Sequence, residues 1–403
     1  MKQEIKERVE RIRRGEVPEG YQKTKVGIIP EDWLVSFTDD VAKRGTGHTP
    51  NKQFPSYYNG GIKWISLQDS NKLDNGLIFH TKVEISEEGL SNSSAVLHSK
   101  GSVLISRDAG VGKSAIMGNE MAVSQHFITW TCSNKLNNWY LYYYLQNRKR
   151  EFERIAVGST IKTIGMPFFK KYKIPLPPIK EQDKIAEILS TWDKAIELKE
   201  KLIEENKKLK KEAEKLLITG DVRFFSFNNE WSEMRIKDFT IQKPSMRSAG
   251  DLNETGLYPV YGASGIAGYD DTFDNDEEYV AIIKDGSGVG RVSLYKKKTS
   301  AIGTLTTIKA NEKSDIGFVY LLMKNINYKK YITGNAIPHI YYKDYSKENV
   351  KMPSLEEQRK IAHFSKIFNQ YIQNLEKELN QLKEQKRGLM QLLLTGIVRV
   401  EGH

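Results

Sequence analysis

The chain is an imperfect tandem repeat, and this duplication constrains its fold more than any other feature of the sequence. Residues 177–186 (PPIKEQDKIA) return 176 residues later as PSLEEQRKIA. Residues 216–223 (LLITGDVR) return at the same offset as LLLTGIVR. The segments 158–223 and 334–399 align throughout without a gap. We therefore predict two copies of one unit, each consisting of a globular part followed by a helix.

A weaker match links the globular parts that precede these segments. Residues 110–113 (GVGK) correspond to residues 288–291 (GVGR) at an offset of 178 residues. Trp33 and Trp231 stand near the beginning of the two copies. The two globular parts are therefore related, although most of their residues differ.

Two long helices are the clearest predicted elements. They span residues 179–219 and 354–395, about 40 residues each, which gives roughly 60 Å at ~1.5 Å per residue. Pro177 and Pro178 end the segment before the first helix, and no glycine or proline follows until Gly220. Gly220 and Gly396 stand where the C-terminal stop of a helix is expected.

Both helices carry side chains in the 4-3 spacing that is typical of a coiled-coil seam. Neither helix is expected to be stable alone, so we predict that the two seams pack together within one chain. Lys199 and Asn206 lie on the first seam and are interpreted as register-setting polar residues. The apolar seam positions are Trp192, Ile196, Ile203 and Leu217 in the first helix and Phe368, Ile372, Leu375, Leu379, Leu382, Leu389 and Leu393 in the second.

Each globular part is predicted to mix helix and strand. The β-rich runs 102–106 and 279–283 each lead into a glycine turn. The Tyr/Leu-rich stretch 139–145 contains no helix breaker and predicts a buried helix. The predicted fold class is α+β, with two globular domains that alternate with two long helices.

Charge and cysteine content limit the classes of function. The net charge of +11, from 62 Lys and Arg against 51 Asp and Glu, fits either a nucleic-acid partner or an ordinary basic surface. The one cysteine, Cys132, excludes a disulfide framework and a multi-cysteine zinc site. The charged beginning of the sequence and the lack of an 18-residue apolar run predict neither a secretory signal nor a membrane span. We expect a cytoplasmic protein.

No catalytic motif rises above background. Residues 110–114 (GVGKS) end like a phosphate loop, but Arg107 stands where that motif requires a glycine, so a turn between two strands is the better interpretation. The tetrapeptide of amino-methyltransferases and a His-Glu-x-x-His metal helix are both absent. Four acidic residues are interpreted as isolated carboxylates: Asp40, Asp69, Asp108 and Asp285.

Taken in order, the motifs resemble those of the specificity (S) subunits of type I restriction–modification systems. Residues 24–33 (TKVGIIPEDW) are similar to the lead-in of that family's first recognition domain, and 47–50 (GHTP) with 58–65 (YNGGIKWI) are similar to a stretch within it. Residues 258–266 (YPVYGASGI) look like an element of the second half. With the repeated helix starts and ends, the resemblance covers residues 24–399.

The resemblance implies a non-catalytic subunit in which two target recognition domains each read one half of a split, asymmetric sequence of double-stranded DNA. It also implies antiparallel spacer helices that hold the domains apart and dock two methyltransferase (M) subunits, which restriction (R) subunits then join. No cofactor is expected on this chain, whereas S-adenosylmethionine, ATP and Mg²⁺ are expected in the partner subunits.

The domain boundaries follow from the repeat and the resemblance together. A basic extension with the lead-in (1–30) precedes the first target recognition domain (31–178), the first spacer helix (179–219), the second target recognition domain (220–353), the second spacer helix (354–395) and a tail (396–403).

Candidate DNA contacts are expected on loops beside strands, where glycine lets the backbone approach a groove. Lys113 and Arg291 follow the same Gly-Val-Gly turn, which favours that pair. For half of the candidates, a solvated surface residue or a turn former is the alternative interpretation. The candidates are His48, Lys63, Arg107, Lys113 and Lys162 in the first domain and Ser264, Lys284, Arg291, Asn335 and His339 in the second.

Other classes of function are compatible with the residues alone. A coiled-coil scaffold that binds only protein is one alternative, and a DNA-binding protein without modification partners is another. A methyltransferase or nuclease is a third, but the chain lacks the motifs for it. Retention of duplex DNA in the presence of a methyltransferase partner distinguishes a DNA reader from a scaffold.

Overall fold

The computed structural model describes residues 3–334 and 336–400. The chain divides into two compact units. Unit 1 comprises the chain up to Leu198 together with the stretch from Leu379, and unit 2 comprises Lys199–Glu378. Both units mix helices and sheets, which confirms the predicted α+β class.

Unit 1 begins with a short helix and then alternates short strands with helices. Its helices are α1 (Gln3–Arg13), α2 (Thr38–Val41), α3 (Glu87–Ser91), α4 (Asn138–Asn147), α5 (Lys149–Ile155), α6 (Met166–Lys170), the first half of α7 (Ile179–Thr219) and the last part of α10 (Leu355–Leu394). Its strands are β1 (Tyr21–Thr24), β2 (Gly27–Pro30), β3 (Leu34–Phe37), β4 (Ala42–Thr46), β5 (Tyr58–Ile65), β6 (Leu77–Ile78), β7 (Val83–Ile85), β8 (Leu97–His98), β9 (Val103–Ser106), β10 (Ser114–Met117), β11 (Met121–Val123), β12 (Phe127–Cys132) and β13 (Lys173–Leu176).

Two sheets form the body of unit 1. One has the order β4-β12-β9-β10-β6, and the other has the order β7-β5-β11-β8. The neighbours β5 and β11 run parallel, whereas β9 and β10 form an antiparallel hairpin. The predicted turn between two strands at 110–113 is confirmed, because it connects β9 to β10.

The core of unit 1 joins the globular part to the long helices. Residues 140–145 of α4 are buried, as predicted for the Tyr/Leu-rich stretch. They pack in one cluster with Trp33, with Leu189 of α7 and with Leu393. The globular part and the helix ends of this unit therefore share one hydrophobic core.

Unit 2 repeats this plan with a smaller set of elements. Its strands are β14 (Ser232–Arg235), β15 (Thr240–Lys243), β16 (Tyr258–Gly262), β17 (Gly265–Asp270), β18 (Tyr279–Ile283), β19 (Val292–Tyr295), β20 (Ser300–Ala301), β21 (Leu305–Ala310) and β22 (Asn349–Met352). Its helices are the second half of α7, α8 (Ile316–Asn325), α9 (Tyr342–Tyr345) and the first part of α10 (Leu355–Leu394).

The main sheet of unit 2 has the order β15-β21-β18-β19, and β17-β16-β20 form a second sheet. The predicted β-run 279–283 is the fully buried strand β18. Phe318 of α8 and Ile282 of β18 belong to the same buried cluster as Leu217 of α7 and Ile361 of α10. In this unit too, the core extends from the globular part onto the long helices.

Helices α7 and α10 pair within unit 1. The Lys386 ammonium of α10 contacts the Asp193 carboxylate of α7, and the Tyr143 hydroxyl donates to the other oxygen of Asp193 at 2.7 Å. Tyr143 belongs to α4, so this polar contact joins both long helices to the globular part.

The same two helices pair within unit 2. The Lys199 ammonium lies 2.8 Å from Glu378, and the Ser365 hydroxyl donates to Glu214 at 2.5 Å. Because rising numbers on α7 meet falling numbers on α10, the pairing is antiparallel. Lys199 thus bridges the helices, whereas the Asn206 amide donates to the Leu202 carbonyl of its own helix.

None of the eleven predicted seam residues is exposed. Five are buried, namely Ile203, Leu217, Ile372, Leu375 and Leu393. The other six are half-buried, namely Trp192, Ile196, Phe368, Leu379, Leu382 and Leu389.

The basic extension forms α1 and docks on the end of the chain within unit 1. The Arg8 guanidinium donates to the Ile397 carbonyl at 2.7 Å. The Tyr21 hydroxyl donates to the Gly396 carbonyl, also at 2.7 Å. The extension is therefore held by residues that follow α10.

Candidate nucleic-acid interface

Equivalent glycine turns connect the two strands of an antiparallel hairpin in each unit. In unit 1, residues 107–113 connect β9 to β10, and Gly112 has a positive φ of 83°. In unit 2, residues 284–291 connect β18 to β19, and the equivalent Gly290 has a positive φ of 84°. Only glycine adopts this conformation without strain, which explains why the turn motif occurs in both copies.

A carboxylate anchors each of these turns to a second loop, so Asp108 and Asp285 are not isolated as the sequence suggested. In unit 1, the Thr163 hydroxyl donates to Asp108, and the His126 ring nitrogen Nδ1 lies 2.8 Å from the same carboxylate. In unit 2, His339 Nδ1 lies 3.2 Å from Asp285. The earlier interpretation failed because these partners are distant along the chain.

The candidates of unit 1 fall into two groups. His48 and Lys162 are exposed. The other three contact the protein itself: Lys63 pairs with Glu84, Arg107 Nε donates to the Ile164 carbonyl at 3.0 Å, and Lys113 Nζ donates to the Ser70 carbonyl at 2.9 Å. The hydrogen bond from Lys63 lowers the pKa of Glu84.

The candidates of unit 2 divide in the same way. Ser264 is exposed, and the exposed Arg291 donates to the neighbouring Ala263 carbonyl at 3.4 Å. Lys284 is half-buried, and its backbone carbonyl accepts a hydrogen bond from the backbone amide of Ile340, the residue after His339. Asn335 lies outside the described residues.

The structure thus brings some candidates together and leaves others apart. Loop 157–164 lies against the turn that carries Arg107, which places Lys162 on a loop beside it. In unit 2, the same arrangement brings Lys284 next to the loop of His339. Lys63 belongs instead to β5, where it is directly opposite Glu84 in the sheet.

A buried glutamate at the start of each long helix fixes the globular part on that helix. In unit 1, the carboxylate of Glu181 accepts from Trp33 Nε1 at 3.0 Å and from Arg399 Nε and Nη2 at 2.9 and 2.8 Å. The hydrogen bonds between Arg399 and Glu181 raise the pKa of Arg399. Arg399 also donates to Asp32, and this lowers the pKa of Asp32.

Unit 2 contains the same anchor. Glu357 accepts from Trp231 Nε1 at 3.1 Å and from Arg223 Nε and Nη2 at 2.9 and 2.8 Å. The doubled tryptophan, the Glu of each helix start and the Arg of each helix end are therefore one repeated cluster. The sequence showed all three members but not that they meet.

The glutamine that follows each anchor glutamate is also repeated in its contacts. Gln182 Nε2 donates to the Lys135 and Pro177 carbonyls, and its Oε1 accepts from the Asn137 amide at 2.9 Å. Gln358 makes the corresponding three bonds in unit 2, to Lys313, Pro353 and Asp315. The repeated Glu-Gln pair thus holds the globular part of each unit to the start of its long helix.

Sequence reasoning missed three residues at the candidate interface. Asp108 and Asp285 fix the loops, and His126 extends the contact of Asp108. The signal for the two aspartates is in the repeat. Arg-Asp precedes the glycine turn of the first copy, and Lys-Asp precedes that of the second.

Within residues 3–334 and 336–400, no group of His, Cys, Asp and Glu side chains could hold a metal ion. No helix in the same ranges is long and apolar enough to cross a membrane.

Known proteins are similar in sequence to most of this chain. The family "Type I restriction modification DNA specificity domain" matches residues 30–208 and 228–384. The type I restriction enzyme MjaIX specificity subunit of Methanocaldococcus jannaschii is 25% identical over 423 residues, covering 94% of this chain and 97% of the relative.

Solved structures have the same fold. The S subunit of a type I restriction–modification system from M. genitalium has a TM-score of 0.54 and 20% identity, covering 90% of this chain and 96% of that one. A chain from a study of complex assembly and conformational transition of the type I R-M system has a TM-score of 0.60 and 14% identity, covering 92% and 99%.

Fold and site define a class of duplicated α+β proteins in which each copy is anchored to a pair of long antiparallel helices. The family match then identifies the class more closely. The chain belongs to the type I restriction modification DNA specificity family.

Proposed function

We propose that the chain reads a bipartite, asymmetric DNA sequence, with one recognition domain for each half. As a specificity subunit it selects the DNA target, and catalysis belongs to partner subunits. The observation that carries the proposal is the duplication of the anchored glycine turn in two domains with different loop residues. Because each wrong base pair costs only ~1–3 kcal/mol, two linked readers discriminate far better than one.

The two readers are domains 31–178 and 220–353. Their proposed contacts are the exposed His48, Lys162, Ser264 and Arg291, together with Lys63, Arg107, Lys113, Lys284, Asn335 and His339. The contacts with the protein itself suggest a division of roles. Arg107 and Lys113 hold loop backbone as well as presenting positive charge, whereas the exposed Lys162 and Arg291 are placed to reach a phosphate or a base edge.

We further propose that the paired long helices dock two methyltransferase subunits, which restriction subunits then join. In unit 2, the second half of α7 exposes leucines at seven-residue intervals: Leu202, Leu209 and Leu216 are 42%, 59% and 39% exposed. Such a stripe suits an apolar partner helix. The partners supply the sites for S-adenosylmethionine, ATP and Mg²⁺, and the complex works in the cytoplasm.

Methylation-aware sequencing of the host genome, with and without this gene, tests the proposal. The expected result is one split, asymmetric motif that is methylated only when the gene is present. An unchanged methylome in a host that expresses the partner methyltransferase would contradict it. A chain that binds the methyltransferase but retains no duplex would favour the protein-binding scaffold instead.

A further inference from the structure

Unit 1 contains a cavity of about 440 Å³ to which the sections above assign no role. It lies where β5 and β11 end, next to each other and in parallel, with Trp64 opposite Ala122 and Ile65 opposite Val123. The residues that leave these strands, Ser66 and Ser124, both line it. Ligands commonly bind beyond the carboxyl ends of parallel strands, and the volume is within the range of about 300–1,000 Å³ of small-molecule sites.

The wall of the cavity is aromatic and aliphatic. The rings of Tyr58 and Trp64 meet edge to face with centroids 6.5 Å apart, and Leu67 and Val83 extend the apolar surface. Both rings are fixed by hydrogen bonds to the loop after β4: Trp64 Nε1 donates to the His48 carbonyl, and the Tyr58 hydroxyl donates to the Pro50 carbonyl. A flat, π-rich group fits such a wall best.

Polar groups at the cavity are available for hydrogen bonding. Ser124 is 1% exposed, and its hydroxyl has no hydrogen-bond partner among the described residues. His126 uses Nδ1 towards Asp108, which leaves Nε2 for a second bond. The exposed Gln68 supplies an amide with both a donor and an acceptor. A buried hydroxyl without a partner is uncommon and calls for an explanation.

The cavity also adjoins the candidate DNA contacts. Thr49, next to His48, lines one side, and the Arg107 amide donates to the carbonyl of the lining residue His126 at 2.9 Å. The exposed Lys52 is a further lining residue, and its charge suits a phosphate. A part of the DNA that rotates out of a duplex bound at His48 and Arg107 would therefore reach this cavity within the same domain.

We propose that the cavity binds one unstacked nucleobase, against Tyr58 and Trp64, with Ser124, His126 and Gln68 bonding its edge and Lys52 near its phosphate. This inference rests on the proposed function. The chemistry is shared by two sources, a base rotated out of the bound duplex and a free nucleotide. Extruding a base requires unpairing, which is easier where the pair is already mismatched.

The experiment measures duplex affinity of the complex of this chain with its methyltransferase. Single mismatches are introduced at each pair of the first half of the modified motif. An ordinary readout position loses affinity, whereas we expect one position at which the mismatch tightens binding about 10-fold. The variants Ser124→Val and Gln68→Ala should remove this gain, while Ser99→Val, an exposed serine outside the cavity lining, should keep it.

A calorimetric titration with nucleoside 5′-monophosphates distinguishes the free source. Binding that Ser124→Val abolishes, without any mismatch gain, would support the nucleobase site and assign it to a free nucleotide. Neither a mismatch gain nor nucleotide binding, or a gain that survives in Ser124→Val, would overturn the proposal. If the unsubstituted chain, in complex with its methyltransferase, shows no sequence-specific binding of duplex DNA, the proposed function itself is contradicted.

Discussion

Replacing Glu181 by leucine tests whether the glutamate anchor holds the first globular part on its helix. Glu181 is 4% exposed, and its carboxylate accepts four hydrogen bonds, one from Trp33, two from Arg399 and one from the Val400 backbone amide. Leucine removes these charge-assisted bonds and leaves the indole N–H of the fully buried Trp33 without a partner. Removing one member of such a buried pair destabilises by about 3–5 kcal/mol.

The lower end of that range is expected, because Arg399 is partly exposed and keeps its two bonds to Asp32 at 2.8 and 2.7 Å. A loss of ~3 kcal/mol lowers the melting temperature of a unit of this size by roughly 6–12 °C. Glu181→Gln should lose less, since its amide oxygen can still accept from Trp33.

Thermal unfolding of the full chain, followed by circular dichroism, measures the effect. The matched control is Glu187→Leu on the same helix, because the Glu187 carboxylate is exposed and forms a surface ion pair with Lys184. A surface change of this kind stays within about 0.5 kcal/mol. Equal melting temperatures for Glu181→Leu and Glu187→Leu would refute the anchoring role of the glutamate.

Two further predictions concern charge. The hydrogen bonds from Arg399 lower the pKa of Asp32 in the folded chain, so this carboxylate contributes stability above its ordinary pKa, and the contribution is lost as the pH falls below about 4. The free energy of unfolding should therefore fall more steeply with acid for the unsubstituted chain than for Asp32→Asn. Parallel pH profiles of the two proteins in chemical denaturation would contradict this prediction. Arg107→Ala and Lys113→Ala should impair methylation through the first half of the target only, and Lys284→Ala and Arg291→Ala through the second only; full methylation by all four variants at unchanged protein and salt concentrations would show that these loops do not contact DNA.

The long helices and the duplication could be predicted from the sequence because their signals are local or periodic. A run without glycine or proline fixes a helix, and a repeated Glu-Gln pair is visible in one dimension. The structure adds the partners of the glutamate. Glu181 accepts hydrogen bonds from Trp33, 148 residues earlier, and from Arg399, 218 residues later. Such contacts have no signature in local spacing.

The candidate interface was harder to predict because strand register is not local. Lys63 stays a predicted DNA contact, and the pairing of β5 with β7 adds what the sequence does not predict, namely that Lys63 is directly opposite Glu84. Opposite charges facing each other across a sheet neutralise each other's field, and β7 could not be aligned with β5 from the sequence. The interpretation of Asp108 as an isolated carboxylate is wrong for a related reason, because Thr163, 55 residues later in the chain, donates to it from another loop.

Each globular domain is proposed to read one half of the target independently. Replacing residues 231–353 with the second recognition domain of a relative, and sequencing the methylated motif of a host that carries the chimera, tests this proposal. The replaced part excludes the anchor residues Arg223 and Glu357, so the new domain meets the same helices. We expect one half of the motif to change and the other half to be retained. A motif in which both halves change would contradict it.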